Sequence, residues 1–385
     1  MKKKTKICFV TTVSSTIRAF ILETAIYLHE NAGFDITFIS NYDEQFEKDI
    51  PTYINYIPVK MSRGVSFSGI TATYKLYRIF RKQKFDVVQY STPNASFYSS
   101  IASYFARIKI RIYSQWGLIY VSFSGVKRAV FKRIEKITCL FSSRIQPDSY
   151  GNLHYCIQEK LYRESKVKVI WNGSASGVNF NRFDINSKKL WRIQFRERYG
   201  IPINTFVIGF VGRITKDKGI NELLSAFKIF IADKNDVMMI IAGQPEGIDT
   251  LDFELFEWSK SSDKIIYSGF LSKIEYLYSS IDAFILPSYR EGFGSVLIES
   301  LAMENIVVTT DIPGPSEVIS HKKNGFKVRP RNTSDLVEIL EFIYFNREDS
   351  SKMAMSGRLM VMERYDSVTL QKKILINLNN LLGGD

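Results

Sequence analysis

The chain is poor in the residues that build metal centres and covalent frames. Its 385 residues include three cysteines, Cys8, Cys139 and Cys156. The number is odd and no CxxC spacing occurs, which argues against a disulfide frame or a zinc site and fits a reducing cytoplasm. The three histidines, His29, His154 and His321, are scattered, and none forms a ligand pair at helical spacing, so no intrinsic metal is implied. There is no uninterrupted apolar run of roughly eighteen residues or more, so a spanning helix is not expected. No GKS or GKT follows a glycine-rich loop, and no GxGxxG occurs, which excludes a Walker P-loop and the dinucleotide fingerprint. The opening MKKKTKICFVTTV has the charged front of a signal peptide. Its apolar part is short and runs into SST without a small-residue cleavage site, so KICFVTT reads as a first β-strand.

Charge of one sign is scarce in half of the chain. Residues 1–180 hold 26 Lys and Arg against 12 Asp and Glu; residues 181–385 hold 26 against 27. The whole excess of +13 therefore lies in the first half. That bias favours an anionic partner there, nucleic acid or a membrane surface.

What is present is alternation. In the first half KICFVTT, FDITFIS, FDVVQYS and RIYSQWG read as strands. Between them IRAFILETAIYLHENAG, YKLYRIFRKQK and FYSSIASYFARI read as helices. Near residues 171–190 the pattern breaks into WNGSASGVNFNRFDIN, a linker by composition. It then restarts with the strand NTFVIGFVGRI, the helix NELLSAFKIFIAD and the strands VMMIIAG, IIYSGF, AFILPS and IVVTT. The segment SVTLQKKILINLNNLL reads as an amphipathic terminal helix. This predicts an α/β protein of two doubly wound, Rossmann-like domains, each a parallel sheet with helices on both faces. The expected domains are 1–180 with the terminal helix 366–385 crossing back to it, and 181–365. Two such domains leave a cleft, and ligands bind at the carboxyl ends of the strands.

The chemistry-bearing motifs fall at those strand ends. In FVGRITKDKGINELLSAF a strand ends at Gly212, and Arg213, Lys216 and Lys218 precede Gly219 and a helix. Cations beside a helix N-terminus suit a diphosphate. The plainer alternative is a solvated basic loop. In PSYREGFGSVLIESLAME, Glu291 lies in a glycine-containing turn and Glu299 one to two turns into the next helix. Gly292 and Gly294 let backbone approach a ligand closely. Two separated carboxylates can each grip a pair of sugar hydroxyls: a ribose and a hexose joined by the diphosphate. The plainer alternative is an ordinary loop Glu and a surface Glu. TTDIPGPSEVISHKKNGFKV, with Asp311 and Glu317, is a further strand end and reads as a Pro/Gly-rich connection lining the same region.

Taken together, VGRxxxxKGxxxLLxAF, EGFGxVLIEsLA and the following VVttdxpGpxEvI resemble glycosyltransferase family 4, a family of GT-B fold. The spacing of Glu291 and Glu299 matches that family's E-x7-E signature. RIYSQWGLIYVSFSGVKRAVFKRIEKIT and KVIWNGSASGVNFNRF are similar to the subgroup that extends lipid-linked saccharides of bacterial surface polysaccharides. The resemblance implies a retaining, metal-free transfer of a hexose or N-acetylhexosamine from a UDP-sugar, with GDP not excluded. It needs no cofactor beyond that nucleotide-diphosphate co-substrate. The acceptor it implies is a polyprenyl-diphosphate-linked saccharide in capsule or O-antigen assembly. Carried onto this chain, Arg213 and Lys218 hold the diphosphate. Glu291 orients the donor sugar, Glu299 binds the ribose, and backbone N–H groups around Gly212, Gly294, Ser295 and Val296 touch phosphate. The absence of D-x-D agrees with a metal-free site and speaks against the GT-A class. The chain departs from many relatives in carrying Trp116 where they place a His, which leaves Gln115 as a candidate substitute. It also lacks a Gly pair in the first loop, where Ser14, Ser15 and Thr16 are candidates for acceptor or donor-sugar contact. Ser176 replaces a linker Asn.

Two basic helices remain. SGVKRAVFKRIEKITCLF sets Val126, Val130, Ile134 and Ile137 on one face and Lys127, Arg128, Lys132, Arg133 and Lys136 on the other. YKLYRIFRKQK adds Arg78, Arg81, Lys82 and Lys84. A basic amphipathic helix suits an anionic membrane surface, implying a cytoplasmic protein held peripherally at the inner face of the cell membrane. The plainer alternative is a cationic face over a core-packed apolar stripe. Two rival functions stand beside transfer. A sugar-nucleotide epimerase of GT-B architecture would use no acceptor. A nucleic-acid binder would need basic residues interleaved with exposed aromatics in a recognised module, and none is found.

Overall fold

The structure, a computed structural model, describes residues 4–62 and 68–383. The first three residues of the basic N-terminal stretch and the last two of the terminal segment lie outside it. The chain forms two compact units: residues 1–176 with 368–385, and residues 177–367.

In the first unit the elements run β1 (Lys6–Val10), α1 (Ser14–Phe20), α2 (Leu22–Ala32), β2 (Asp35–Ser40), α3 (Glu44–Asp49) and β3 (Asn55–Pro58). They continue through α4 (Ser68–Gln83), β4 (Val87–Tyr90), α5 (Pro93–Phe105), β5 (Ile110–Gln115), α6 (Gly125–Phe141), β6 (Arg144–Pro147) and α7 (Tyr150–Gln158). The sheet order is β3-β2-β1-β4-β5-β6, all parallel. Strand side chains alternate between faces. In β1, Cys8 and Val10 enter one apolar cluster while Ile7 and Phe9 enter the other. A sheet covered on both sides explains why KICFV is an almost unbroken apolar run. The helix expected over IRAFILETAIYLHENAG is two helices, because Ile21 leaves helical geometry at φ −121° while its N–H still bonds the Ile17 carbonyl.

The second unit comprises α8 (Lys188–Arg198), β7 (Phe206–Val211), α9 (Ile220–Phe230), β8 (Val237–Ala242), α10 (Phe253–Ser261), β9 (Ile265–Gly269) and α11 (Ile274–Ser280). It continues with β10 (Ala283–Leu286), α12 (Ser295–Ala302), β11 (Ile306–Thr310), α13 (Pro315–Val318), β12 (Phe326–Val328), α14 (Thr333–Phe345) and α15 (Arg347–Arg364). Its parallel sheet is ordered β12-β11-β10-β7-β8-β9 around one large core. Arg196 of α8 is buried. Its guanidinium bonds the carbonyls of Ser280, Pro202, Ile203 and Thr205 and the carboxylate of Asp282.

The unit begins a few residues before the expected boundary. The Val178 N–H bonds the Tyr365 carbonyl and the Ser367 N–H bonds the Val178 carbonyl, so the linker's end is knitted into the second unit. The chain then closes with α16 (Ser367–Leu382), grouped with the first unit, where Leu378 enters the cluster of Ile7 and Phe9.

Candidate functional site

In a doubly wound sheet the strand order reverses at one point, and the loops leaving the two strands there splay apart to leave a crevice. In the second unit that point lies between β7 and β10. The loop after β7 carries Gly212, Arg213 and Lys218. The loop after β10 carries residues 287–294. These are the two stretches singled out in the sequence, and they touch. The Lys218 ammonium donates to Glu291 Oε1 at 2.5 Å, and the Ser288 hydroxyl donates to the same oxygen at 2.7 Å. Lys218 and Glu291 are mostly shielded, at 17% and 12% side-chain exposure.

Backbone geometry holds the loops together. The Tyr289 N–H bonds the Asp217 carbonyl at 2.9 Å, and Arg290 pairs with the Asp217 carboxylate at 2.8 Å. Burial works to raise the Asp217 pKa, but the Thr215 hydroxyl and Arg290, Arg213 and Lys218 prevail and hold it low. Gly219 caps α9 at φ 72°, and a Cβ there would lie 2.1 Å from the Pro287 carbonyl oxygen. Only glycine permits both the left-handed backbone and this contact.

Gly294, also left-handed at φ 84°, caps α12. The N–H groups of the first helical turn have no partner within the helix, and the helix dipole makes that end attractive to anions. Ser295 and Val296 open this turn, half-exposed, four and five residues after Glu291. Glu299 is the fifth residue of α12. Its carboxylate accepts from the Tyr278 hydroxyl at 3.1 Å. Burial pushes its pKa up to about 7, against the pull of Arg182 and the Tyr278 bond. Arg213 points elsewhere: its guanidinium pairs with Glu246 at 2.9 Å, both side chains about half exposed. So Lys218, Glu291 and the start of α12 share one crevice, Glu299 sits deeper against α11, and Arg213 lies on an exposed pair. The sequence reading passed over Asp217 and Arg290 inside the quoted motifs, and over Arg182 and Tyr278. The alternating charges of KDK and SYRE were the available signal for the first two; nothing local marks the others.

In the first unit the corresponding reversal lies between β1 and β4. There the Thr92 hydroxyl meets the Thr12 N–H at 3.0 Å and the Thr12 hydroxyl at 2.8 Å. Thr92 sits at φ 67°, a costly backbone for a β-branched residue. Ser14 is buried and donates to the Asp43 carboxylate, Ser15 is exposed and Thr16 half-buried. Gln115 is fully buried. It donates to Glu135 Oε1 at 2.6 Å and accepts from Tyr162 at 3.2 Å and Cys156 at 3.4 Å. Tyr113 also donates to Glu135, at 2.9 Å. Gln115 is thus spent on an internal network, and Glu135, unremarked in the sequence, is its centre. Burial pushes Glu135 up to about 6 despite those two donors. Trp116 is half-buried against Phe20, ring centroids 5.4 Å apart.

The basic helix α6 is inverted relative to a core-packed stripe. Its buried residues are Glu135, Thr138 and Cys139. Val126 is 81% exposed and Leu140 67%. Arg128 and Lys132 pair with Glu159 at 3.2 and 2.6 Å, whereas Lys127, Arg133 and Lys136 are exposed. Among the described residues, no three His, Cys, Asp or Glu side chains are grouped as metal ligands, and no helix is long and apolar enough to cross a membrane.

Residues 192–360 match the family described as glycosyl transferases group 1, and residues 6–149 match the family described as glycosyl transferase 4-like. The chain is 28% identical over 381 residues to the capsular polysaccharide biosynthesis glycosyltransferase CapM of Staphylococcus aureus, covering 99% of this chain and 98% of CapM. It is 22% identical over 296 residues to the UDP-Gal:alpha-D-GlcNAc-diphosphoundecaprenol alpha-1,3-galactosyltransferase of Escherichia coli, covering 74% of this chain and 73% of that one. Its fold is similar to that of Anabaena HepE in complex with UDP and glucose. The TM-score is 0.81 at 21% identity, over 98% of this chain and 100% of HepE.

Proposed function

Since the chain belongs to the family 4-like glycosyltransferases of GT-B fold, we propose that it transfers a hexose or N-acetylhexosamine from a UDP-sugar. The sugar keeps its anomeric configuration, no metal takes part, and the acceptor is a lipid-linked saccharide in capsule or O-antigen assembly. The observation that carries the donor site is the Lys218–Glu291 pair at the β7/β10 reversal, beside the N-terminus of α12.

Lys218 and Glu291 neutralise each other in a close ion pair. A donor diphosphate competes for Lys218 and for the N–H groups of Ser295 and Val296. Glu291 is then free to accept hydroxyls of the transferred sugar. Arg213, held only by a half-exposed pair, exchanges Glu246 for the diphosphate. Glu299, once ionised, accepts the ribose hydroxyls. In the transfer step the bond from the anomeric carbon to the diphosphate oxygen breaks. An acceptor hydroxyl oxygen bonds that carbon on the same face, and its proton leaves with the diphosphate. Preorganised positive charge at the leaving oxygen is what lowers the barrier.

UDP is preferred because the Escherichia coli relative is named for UDP-Gal and HepE is described with UDP. The lipid-linked acceptor rests on the same relative's name together with the exposed apolar and cationic residues of α6. Those residues also support peripheral attachment to the inner face of the cell membrane.

The first test is thermal-shift binding of UDP, GDP, ADP and CMP with and without EDTA. Stabilisation by UDP alone, unchanged by EDTA, is the expected result; stabilisation by GDP alone, or its loss in EDTA, overturns the donor or the metal-free assignment. NMR of the product then reads the anomeric configuration. Product released without any acceptor would point to the epimerase alternative.

A further inference from the structure

The first unit contains a cavity of about 1140 Å³ among α4, α5 and α6. Small-molecule pockets usually hold about 300–1000 Å³, so it exceeds what a nucleotide or sugar requires. Its α5 wall runs from Pro93 and Asn94, in the first turn, to Phe105, in the last. At the helical rise that is roughly 18 Å. The Pro93 end follows β4 directly, so the cavity starts at the strand end where ligands bind in such sheets and extends away from it.

The lining is apolar and aromatic. Tyr74 and Tyr77 of α4, Phe97 and Ile101 of α5, and Phe131 and Ile134 of α6 supply much of it. The acid at the lining, Glu135, is only 7% exposed and engages Tyr113 and Gln115. The cavity is open: Ile70 and Phe105, both lining it, are 69% and 61% exposed. Apolar side chains left exposed along a groove mark a site awaiting an apolar partner.

Charge identifies that partner. The segment of α4 holds Lys75, Arg78, Arg81 and Lys82 and no acid. All four are exposed. The only acid of α6 is the buried Glu135, while Lys127, Arg133 and Lys136 are exposed. An apolar channel between two cationic helices is complementary to a long hydrocarbon chain bearing an anionic headgroup. Aromatic rings along its walls suit the methyl branches and double bonds of an isoprenoid, which pack against ring faces.

We infer that this groove holds the polyprenyl chain of the acceptor, flanked by the cations of α4 and α6. The inference rests on the lipid-linked acceptor proposed above, and it assigns the chain a dedicated channel.

The full chain is tested with a benzophenone-bearing analogue of farnesyl diphosphate as photoprobe. Labelling is expected on α4, α5 or α6 residues of the groove, displaced by geranylgeranyl diphosphate and not by inorganic diphosphate or palmitate. Thr73→Trp, which fills the groove from its α4 wall, should cut labelling at least tenfold. It should raise KM for a polyprenyl-diphosphate-linked acceptor at least tenfold, and leave UDP stabilisation and transfer to the same saccharide on a short soluble aglycone unchanged. Labelling elsewhere, no labelling, equal displacement by palmitate, or an unaffected Thr73→Trp variant overturns the groove assignment. Specific groove labelling in a protein that transfers only to soluble saccharides sustains the isoprenoid site while refuting the lipid-linked acceptor.

Discussion

The two units share a topology and differ in what stands at the point where their strand order reverses. In the second unit it is charge: Lys218 on Glu291, Arg290 on Asp217. In the first it is hydroxyls, Thr12 and Thr92, with an apolar groove beginning beside them. Charge at a strand end serves a small anionic ligand whose position must be fixed to a fraction of an ångström. Hydroxyls and apolar walls serve a ligand held by area. On the proposed reading, one architecture supplies two kinds of recognition by changing a few loop residues and one helix surface.

The contrast breaks most sharply at Glu291. Glu291→Ala is expected to lower transfer by about 100- to 1000-fold, the range for loss of one preorganised polar contact at a reacting centre. If Glu291 addresses the sugar, the variant keeps its thermal stabilisation by UDP and loses the additional stabilisation given by the UDP-sugar. Normal transfer rates would remove Glu291 from the site.

Stability should follow the same division. Arg196→Met leaves the Ser280, Pro202, Ile203 and Thr205 carbonyls of the second unit without their guanidinium donor, while Asp282 keeps Arg192 and the Val207 N–H. Leaving buried acceptors short costs about 1–3 kcal/mol each, and several are lost at once here, so urea denaturation should show that unit melting early, with UDP stabilisation lost in step. Gln115→Leu in the first unit deprives Glu135 of one donor. Leaving a buried acceptor short costs about 1–3 kcal/mol, less than at Arg196, and UDP binding should be untouched. Equal losses from the two variants would contradict the contrast between the many acceptors held by Arg196 and the single carboxylate donor supplied by Gln115.

The loops proposed to bind the donor stand out in sequence because their chemistry is local. Gly212, Arg213, Lys218 and Gly219 lie within eight residues, and Glu291 to Val296 within six, so each loop announces itself. That both loops leave strand ends of one sheet was legible; the direct Lys218–Glu291 contact was not. Nor was the reach of Arg213 to Glu246, because a long flexible side chain chooses its partner in three dimensions. The first half was legible as alternating strands and helices, and its cationic excess was plain. The groove was not, because Tyr74, Phe97 and Phe131 come from three helices and look like ordinary core residues in sequence. Nor was the orientation of α6: the pattern of Val126 and Val130 is that of a buried stripe, yet the helix buries the opposite side, centred on Glu135. Helical periodicity identifies a face but not which face meets the core.

Two raised carboxyls give the comparison a pH axis. Glu299 is pushed up to about 7 and Glu135 to about 6, from an ordinary 4.5, both chiefly by burial. The folded state then binds the proton more tightly than the unfolded one. Each contributes stability that is full below about 4.5 and is lost as pH rises through the folded value. The difference in melting temperature between wild type and Glu299→Gln should therefore change between pH 4.5 and 7, and that for Glu135→Gln between pH 4.5 and 6. UDP stabilisation should grow from pH 6 to 8 as Glu299 ionises and becomes a full acceptor for ribose. In Glu299→Gln the growth should shrink to whatever the phosphates' own titration contributes. Identical pH profiles for wild type and Glu299→Gln would take the ribose role from Glu299.

The smallest effects belong to the cationic surface, and they discriminate among residues that look equivalent in sequence. Lys132 is tied to Glu159 at 2.6 Å, whereas Arg133 and Lys136 are exposed on the same helix. A basic residue near an anionic membrane contributes about 1 kcal/mol, falling off within a Debye length. Reversing Arg133 and Lys136 to Glu should weaken binding to phosphatidylglycerol vesicles by roughly tenfold or more at low salt, and the deficit should shrink as salt rises. Lys132→Gln should have less effect on vesicles, because Glu159 already neutralises that ammonium, and Glu159→Gln should strengthen binding by releasing both Lys132 and Arg128. Vesicle binding that is indifferent to Arg133, Lys136 and Glu159 alike would leave the exposed Val126 and Leu140 to hold the membrane alone, and would make the charge bias of the first half a matter of solubility.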